Sequence, residues 1–205
     1  AGVPALFAVH TFSAAFVWWG LRGVIPSGLG DVASTFFMFV AFVLLPVYVP
    51  VAVLLLEPRG WRRHLLAVLS GIGLVAGVEY LWELLNGHGT AVACNLYIDY
   101  SVAGVPSATG ALYILGTCGA LLLSGHRQLF LWGVVNAAMI AGLTVWSRHG
   151  LPSLWCWGAA VTSGFVAWYI RHLSKERELG LAWPWERQSA STFGFHLPRE
   201  LVRSD

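Results

Sequence analysis

Two carboxylates stand out because they lie inside an apolar stretch. Glu79 and Glu83 occur in the segment Val-Glu-Tyr-Leu-Trp-Glu, and their spacing of four residues places both on one face of a helix. An ionised carboxylate in hydrocarbon is costly unless it is protonated, paired or hydrated, so such residues often mark function. The pair predicts a polar site for a metal, a proton or a lipid head group. The alternative is an interhelical salt bridge, such as Glu83 with Arg148, that fixes helix packing.

Other polar residues are expected at a similar depth and extend this candidate site. They are Arg22, His88, Asp99, Arg148 and His149. The sequence leaves the metal and any cofactor unknown, because no two histidines have the spacing of H-E-x-x-H and the three cysteines form no zinc pattern. Cys94 and Cys156 could form a disulfide in an oxidising exterior, although no spacing motif supports it.

A single histidine, His10, lies near the middle of the first apolar stretch. It could ligate a metal, a haem or a chlorin. No second histidine occupies the middle of another stretch, which disfavours a bis-histidine haem. A neutral imidazole that hydrogen-bonds to a neighbouring carbonyl and holds helices together is the favoured alternative.

The segment Ser124-Gly125-His126-Arg127 places a serine beside a histidine, a combination found in nucleophilic sites. No G-x-S-x-G elbow surrounds it. A helix C-terminus is the better interpretation, because Gly125 permits a turn and cations favour the negative end of the helix dipole.

The elements that must position these residues are long apolar stretches. The 205-residue chain is 57% hydrophobic and 11% charged, whereas about 25% of the residues in a soluble domain are charged. A spanning helix needs about 20 mostly apolar residues, and its backbone groups must all be paired within hydrocarbon. The sequence therefore predicts an all-α polytopic membrane protein in which residues 1–173 form a bundle of six transmembrane helices. The predicted spans are 3–21, 32–56, 65–85, 106–123, 129–146 and 151–173.

The positive charges predict the orientation of these spans. Ten of the 12 Lys and Arg residues fall in one alternate set of gaps and in the tail, whereas only Arg22 and Arg148 fall in the other set. Cytoplasmic loops carry the excess of Lys and Arg, so both ends are predicted inside and residues 87–105 outside. The second part of that outer loop alternates like a strand and predicts a short hairpin. The tryptophans are expected to form an aromatic belt at both membrane surfaces. Those expected at the outer surface are Trp18, Trp19, Trp82, Trp146, Trp155 and Trp157, and those at the inner surface are Trp61, Trp132 and Trp168.

The composition changes after the last span. Residues 174–205 combine charges with Trp183, Trp185, Phe193 and Phe195. Aromatic residues beside charges are typical of interface anchors, so the tail is expected to be a cytoplasmic segment that docks on a partner. Binding to the membrane surface is the alternative. No basic tract is suited to gripping phosphates, so no nucleic-acid partner is expected.

Four segments carry a family resemblance. They are Val-Tyr-Val-Pro at 47–50, Leu-Leu-Leu-Glu-Pro at 54–58, Leu-Leu-Leu-Ser-Gly-His-Arg at 121–127 and Ser-Leu-Trp-Cys-Trp-Gly-Ala-Ala at 153–160. Through them, most of residues 4–173 resembles an uncharacterised bacterial family of multi-pass membrane proteins, a domain of unknown function. The resemblance implies a helical membrane fold, a bacterial inner membrane and a further N-terminal helix bearing Cys-Phe-Ser, which is absent here. Where that family carries Gln-Gln and a Glu before a Trp, this sequence has His10 to Trp19 without a carboxylate.

Two functional hypotheses follow. The first is a non-catalytic integral membrane subunit that packs against a larger bacterial membrane complex, with lipid or pigment as further contacts. The G-x-x-x-G spacing from Gly73 to Gly77 and the Trp-rich helices favour it. The second is a small intramembrane enzyme, hydrolase-like, or a transporter that uses Glu79 and Glu83 at an outward-facing site. Transport is the weaker form, because no internal repeat is visible.

Overall fold

The computed structural model describes residues 2–147 and 149–178, with side chains described at 5–147, 149–164, 168 and 171. The chain divides into two compact units, residues 1–167 and 168–205. All the sites discussed below lie in the first unit. The described part of the second unit is the last portion of the final helix.

Helices dominate the described residues, in agreement with the predicted all-α class. They form six rods, the second of which contains a π-helical turn. The rods are α1 (Gly2–Leu21), α2 (Ser27–Met38) continuing through Phe39–Leu44 into α3 (Leu45–Leu56), α4 (Trp61–Leu85), α5 (Ser107–Leu123), α6 (Arg127–Trp146) and α7 (Leu151–Glu178). Each predicted apolar stretch overlaps one rod. The second rod begins at Ser27, directly after Pro26, so Asp31 lies within a helix and not in the preceding loop.

Three of the described rods are long and apolar enough to cross a membrane, namely Ser27–Leu56, Trp61–Leu85 and Arg127–Trp146. Two other apolar helices, Ala5–Leu21 and Ser107–Leu123, are shorter. At about 1.5 Å per residue, the 17 residues of α5 fall short of a hydrocarbon core of about 30 Å. Helix length therefore indicates a membrane protein without establishing six spans.

The π-helical turn ends next to Pro46 and receives a long-range hydrogen bond. Pro46 has no N–H to donate, so the Ala41 carbonyl lacks the i+5 partner that a π-helix would supply. The Tyr113 hydroxyl of α5 donates to that carbonyl over 3.0 Å. This hydrogen bond thus ties the kink in the second rod to α5.

A second proline brings three helices into backbone contact. Pro50 also lacks an N–H, which leaves the Pro46 carbonyl without its i+4 partner. That oxygen lies against Gly73, where an added Cβ would be only 1.9 Å away. A Cβ on Gly116 would lie 3.2 Å from the Gly73 Cα, and one on Gly77 would lie 2.9 Å from a carbonyl oxygen of the second rod. Helices α3, α4 and α5 therefore meet at Gly73, as G-x-x-x-G spacing favours.

Two tryptophans belong to the core. Trp155 is 8% exposed, packs edge-on against Tyr113 and donates its indole N–H to the Asn136 side-chain oxygen over 2.9 Å. Trp132 is also 8% exposed and donates to the Thr162 hydroxyl over 2.8 Å. The prediction that both belong to a surface belt is wrong. Each buried indole N–H has a partner on a neighbouring helix, so neither needs water.

The predicted hairpin is present between α4 and α5. Strands β1 (Gly89–Ala93) and β2 (Ile98–Val102) pair antiparallel. Tyr100 is 2% exposed and stacks on Phe37 with 4.0 Å between ring centroids. Burial, with a smaller contribution from Cys156, raises the pKa of the Tyr100 phenol, which therefore stays neutral at ordinary pH. The hairpin is thus fixed on the helices by an aromatic contact.

Candidate functional site

Glu79, on α4, is held by a neighbouring helix. The hydroxyl of Thr109, near the start of α5, donates to Glu79 Oε2. Thr109 is 2% exposed, whereas Glu79 is half-buried. A buried hydroxyl on a carboxylate is a charge-assisted hydrogen bond, which is stronger than a neutral one. The contact joins α4 to α5.

Glu83 makes a separate pair at the end of the same helix. Its Oε2 contacts Nδ1 of His88, and the backbone N–H of His88 donates to the Glu83 carbonyl over 3.1 Å. The Glu83 side chain is 19% exposed and that of His88 is 50% exposed. Gly104 lies directly over the carboxylate, because a Cβ there would be 2.6 Å from Oε2. The pair closes the C-terminal end of α4.

Asp99 and His149 form a third pair. The Asp99 carboxylate lies 3.2 Å from His149 Nδ1 and joins β2 to the turn before α7. Arg22 contacts neither carboxylate of α4, and its guanidinium lies over the Trp18 ring at 4.7 Å. Arg148, the expected salt-bridge partner of Glu83, lies outside the described residues.

The predicted site residues therefore form separate pairs. Within residues 2–147 and 149–178, no three His, Cys, Asp or Glu side chains are grouped to hold a metal. Cys94, Cys118 and Cys156 are free thiols, so Cys94 and Cys156 are not bonded to each other. The arrangement can fix helix ends and loops. It can also move a proton at the half-exposed Glu83–His88 pair.

His10 is buried without a polar partner. It is 0% exposed and stacks on Phe37 with 4.1 Å between ring centroids. Neither ring nitrogen has a hydrogen-bond partner among the described residues, so the expected bond to a carbonyl is not found. His10, Phe37 and Tyr100 form a continuous aromatic column that joins α1, α2 and the hairpin. His10 therefore contributes to helix packing through the face of its ring.

One polar cluster was not anticipated from the sequence. Glu57, at the end of α3, is 5% exposed, and its Oε2 accepts the backbone N–H of Gly125 over 3.0 Å. Arg62 Nη1 lies 4.0 Å from Oε1. His126 Nε2 lies 3.3 Å from the Leu56 carbonyl oxygen. The four residues Glu57, Arg62, Gly125 and His126 are called the Glu57 cluster below.

The Glu57 cluster unites two of the segments that carry the family resemblance. Residues 54–58 and 121–127 are far apart in sequence and meet there. The His126 backbone N–H donates to the Ser124 hydroxyl oxygen over 3.2 Å, as in a local turn. Ser124 directly follows α5, which agrees with the helix-end interpretation. The only signal in the sequence was the unusual Glu-Pro step after an apolar run.

Glutamate substitutions distinguish a packing role from a ligand site. We expect Glu79→Ala to lower the free energy of unfolding by about 1–3 kcal/mol, because it leaves the buried Thr109 hydroxyl unpaired. Glu79→Gln keeps an acceptor and should lose less. Glu83→Gln should lose at most about 1 kcal/mol, because His88 is half-exposed. Thermal unfolding in detergent measures the first effect, and elemental analysis measures bound metal. Glutamine variants that unfold like the wild type but lose a stoichiometric metal would contradict the packing role.

Comparisons with known proteins identify only a family. Neither the curated proteins nor the solved structures contain a significant match. A family model, described as a family of unknown function, matches residues 1–179, which include the Glu57 cluster, both carboxylates of α4 and the hairpin. The chain therefore belongs to the family of unknown function DUF6629.

Proposed function

We propose that the chain is a multi-pass protein of a bacterial inner membrane. In this proposal all six rods span the bilayer, with the start of α1 and the end of α7 in the cytoplasm. The 17 residues of α5 are at the lower end of the range of about 17–25 residues found in spanning helices. Two observations support it. Three rods have the length and hydropathy of spanning helices, and ten of the 12 basic residues fall on the side assigned to the cytoplasm. Residues 87–105, with the hairpin, would then face outward.

The orientation predicts opposite labelling at two positions. In a variant without native cysteines, Asn95→Cys should react with an impermeant thiol reagent on intact cells. Arg177→Cys should react only after the membrane is opened. Asn95 is exposed in the turn between β1 and β2, so access to it does not limit labelling. Labelling of position 177 but not 95 on intact cells would reverse the orientation.

We further propose that the protein is a non-catalytic subunit of a larger membrane complex. One observation carries this proposal, namely an exposed stripe of heptad spacing along α4, called the α4 stripe. Its members are Trp61, Val68, Val75 and Trp82, seven residues apart, and Gly71, Val78 and Leu85, also seven apart. All seven are exposed, and the apolar side chains among them are 51–76% exposed.

An exposed stripe with heptad spacing is matched better to packing by another helix than to contact with lipid tails. Helices that pack with supercoiling repeat their contacts every 3.5 residues on average, whereas lipid tails require no period. Gly71 would allow a partner backbone to approach closely, because a Cβ there meets nothing within 4 Å. The intramembrane carboxylate Glu79 is already paired within the chain. A transmembrane helix of another subunit is the proposed occupant of the α4 stripe.

Photo-crosslinking in native membranes tests this subunit role. A benzophenone amino acid at Val75 should give one protein adduct of defined mass, and the same probe at exposed Val135 on α6 should give lipid adducts only. Gly71→Leu should abolish the Val75 adduct while the purified chain unfolds at an unchanged temperature. Lipid adducts alone at both positions, or adducts only with a second copy, would contradict the role. The same experiment after truncation at Leu173 tests whether tail 174–205 contributes to docking.

An outward-facing polar site is the second candidate function, either a small hydrolase-like intramembrane enzyme or a transporter. The Glu83–His88 pair favours it, because a half-exposed imidazole in contact with a carboxylate is an arrangement found in general acid–base sites. Glu79 lies one turn deeper and would be the inner group of such a site. The Glu79→Gln and Glu83→Gln variants described above test whether these carboxylates form such a site.

A further inference from the structure

A polar cavity lies between α1, α2 and β1. Its volume is about 620 Å³, and Thr90 of the hairpin forms part of its wall. Gly20 and Gly30 also line it and hold α1 and α2 in backbone contact, since a Cβ on Gly20 would lie 2.6 Å from the Gly30 Cα. Small-molecule sites commonly have volumes of about 300–1,000 Å³. The cavity therefore has room for an organic ligand.

One face of α2 supplies unused polar groups to this cavity. Ser27, Asp31 and Ser34 line it and have the spacing i, i+4, i+7, which places them on one side of the helix. The Asp31 carboxylate makes no hydrogen bond or ion pair with any described residue. Ser34 is only 8% exposed, and its hydroxyl also has no partner in the described part of the chain. The Ser34 oxygen reaches the space of the cavity, so a ligand or water can hydrogen-bond to it there.

The remaining polar groups of the wall are already engaged. The Thr35 hydroxyl donates to the backbone carbonyl of Asp31 over 3.0 Å. The Thr90 hydroxyl is paired with that of Ser101 at 2.8 Å. The groups left for a ligand are thus one carboxylate and two serine hydroxyls, all of which can accept hydrogen bonds.

We propose that this cavity binds a primary ammonium group on a small organic molecule. The three N–H donors of the ammonium can be shared between the Asp31 carboxylate and the serine hydroxyls, and its charge is neutralised by Asp31. A divalent metal would need six or more oxygen ligands held close together, which one carboxylate in so wide a cavity does not provide. A quaternary ammonium is recognised by aromatic faces, and the described lining of the cavity has none. Val17, Leu21 and Met38 can contact the methylene groups of the ligand.

Two kinds of molecule present such a primary ammonium group: free ethanolamine and the head group of phosphatidylethanolamine. The inference does not depend on the subunit role, because it concerns α1, α2 and the hairpin and not the α4 stripe. Isothermal titration of the full chain in lipid-free detergent with ethanolamine, and separately with choline, tests the free source. Native mass spectrometry of the chain released from nanodiscs containing phosphatidylethanolamine and phosphatidylcholine tests the lipid source.

The expected result is selectivity for the primary amine in at least one arm, by about tenfold over its quaternary counterpart. Asp31→Asn should weaken that binding by about tenfold, and Ser34→Ala by about threefold. Ser70→Ala is the matched control, because Ser70 donates to the Leu66 carbonyl on α4 and lies outside the cavity wall. Ser34→Met, which fills the cavity and leaves Asp31 intact, should also abolish binding.

The two binding experiments distinguish a soluble ligand from a lipid. Binding of free ethanolamine identifies a soluble ligand, whereas selective retention of phosphatidylethanolamine alone identifies a lipid site. Equal affinity for primary and quaternary amines, unchanged binding in Asp31→Asn, or no binding in either arm would overturn the proposal. The unfolding midpoint of each variant confirms that the loss is local. If Asp31→Asn does not fold, Ser34→Met decides the question.

Discussion

Gly73→Val is expected to abolish stable folding, with a loss of more than about 4 kcal/mol in the free energy of unfolding. A Cβ at this position would lie 1.9 Å from the Pro46 carbonyl oxygen and 2.9 Å from its carbon. Both atoms belong to backbone and cannot rotate away as a side chain could. The Gly116 backbone packs on the other side of Gly73, so α4 has no direction in which to retreat. Thermal unfolding in detergent, with the yield of folded protein, measures the effect.

Gly71→Val is the matched control for this prediction. It introduces the same residue into the same helix, so the change in intrinsic helix propensity is the same in both variants. A Cβ at Gly71 meets nothing within 4 Å, so no contact is broken in the isolated chain. The difference between the two variants reports the α3–α4–α5 crossing alone. Equal unfolding temperatures would show that the helices do not meet there.

Glu57→Ala is expected to lower the free energy of unfolding by about 2–4 kcal/mol. The substitution leaves the partly buried backbone N–H of Gly125 without its acceptor, and an unpaired buried donor costs at most about 1–3 kcal/mol. It also removes the partner of Arg62 and opens a space between the ends of α3 and α5. Glu57→Gln retains an oxygen acceptor and should fall between the wild type and Glu57→Ala.

Arg62→Gln is the control for Glu57. The Arg62 side chain is 47% exposed and lies 4.0 Å from the carboxylate, so its loss should cost at most about 1 kcal/mol. If Arg62→Gln destabilises the protein as much as Glu57→Ala, then the ion pair, and not the hydrogen bond to Gly125, holds the Glu57 cluster together. Urea or thermal unfolding of the three variants side by side makes the comparison.

The helices could be predicted from the sequence because their cause is local. Apolar stretches bounded by charged or Gly-Pro segments overlap all six rods, and strand-like alternation correctly indicated the hairpin at 89–102. The start at Ser27 was missed because Asp31 interrupts the apolar run, although one acidic residue does not stop a helix.

The polar contacts could not be predicted because they depend on distant partners. Tyr113 meets Ala41, Gly125 meets Glu57, and Trp155 meets Asn136, and no local pattern marks these pairs. The carboxylates of α4 could be singled out as unusual from the sequence, whereas the Thr109 hydroxyl that contacts Glu79 could not be foreseen. Thr109 is an ordinary residue in an apolar helix, and only the packing of α5 on α4 places it beside Glu79.

The hydrogen bond between Tyr113 and Ala41 has a consequence for how the protein is made. A ribosome delivers the kinked second rod to the membrane long before the hydroxyl that completes it, because the two residues are 72 positions apart. Until that hydroxyl arrives, Pro46 leaves one carbonyl of the second rod without a backbone donor, which is unfavourable in hydrocarbon. Nascent chains that end between the second rod and α5 should therefore stay at the insertion site and be degraded rather than released into the bilayer. In the proposed topology, we therefore expect the second rod to enter the bilayer fully only after α5 has been synthesised.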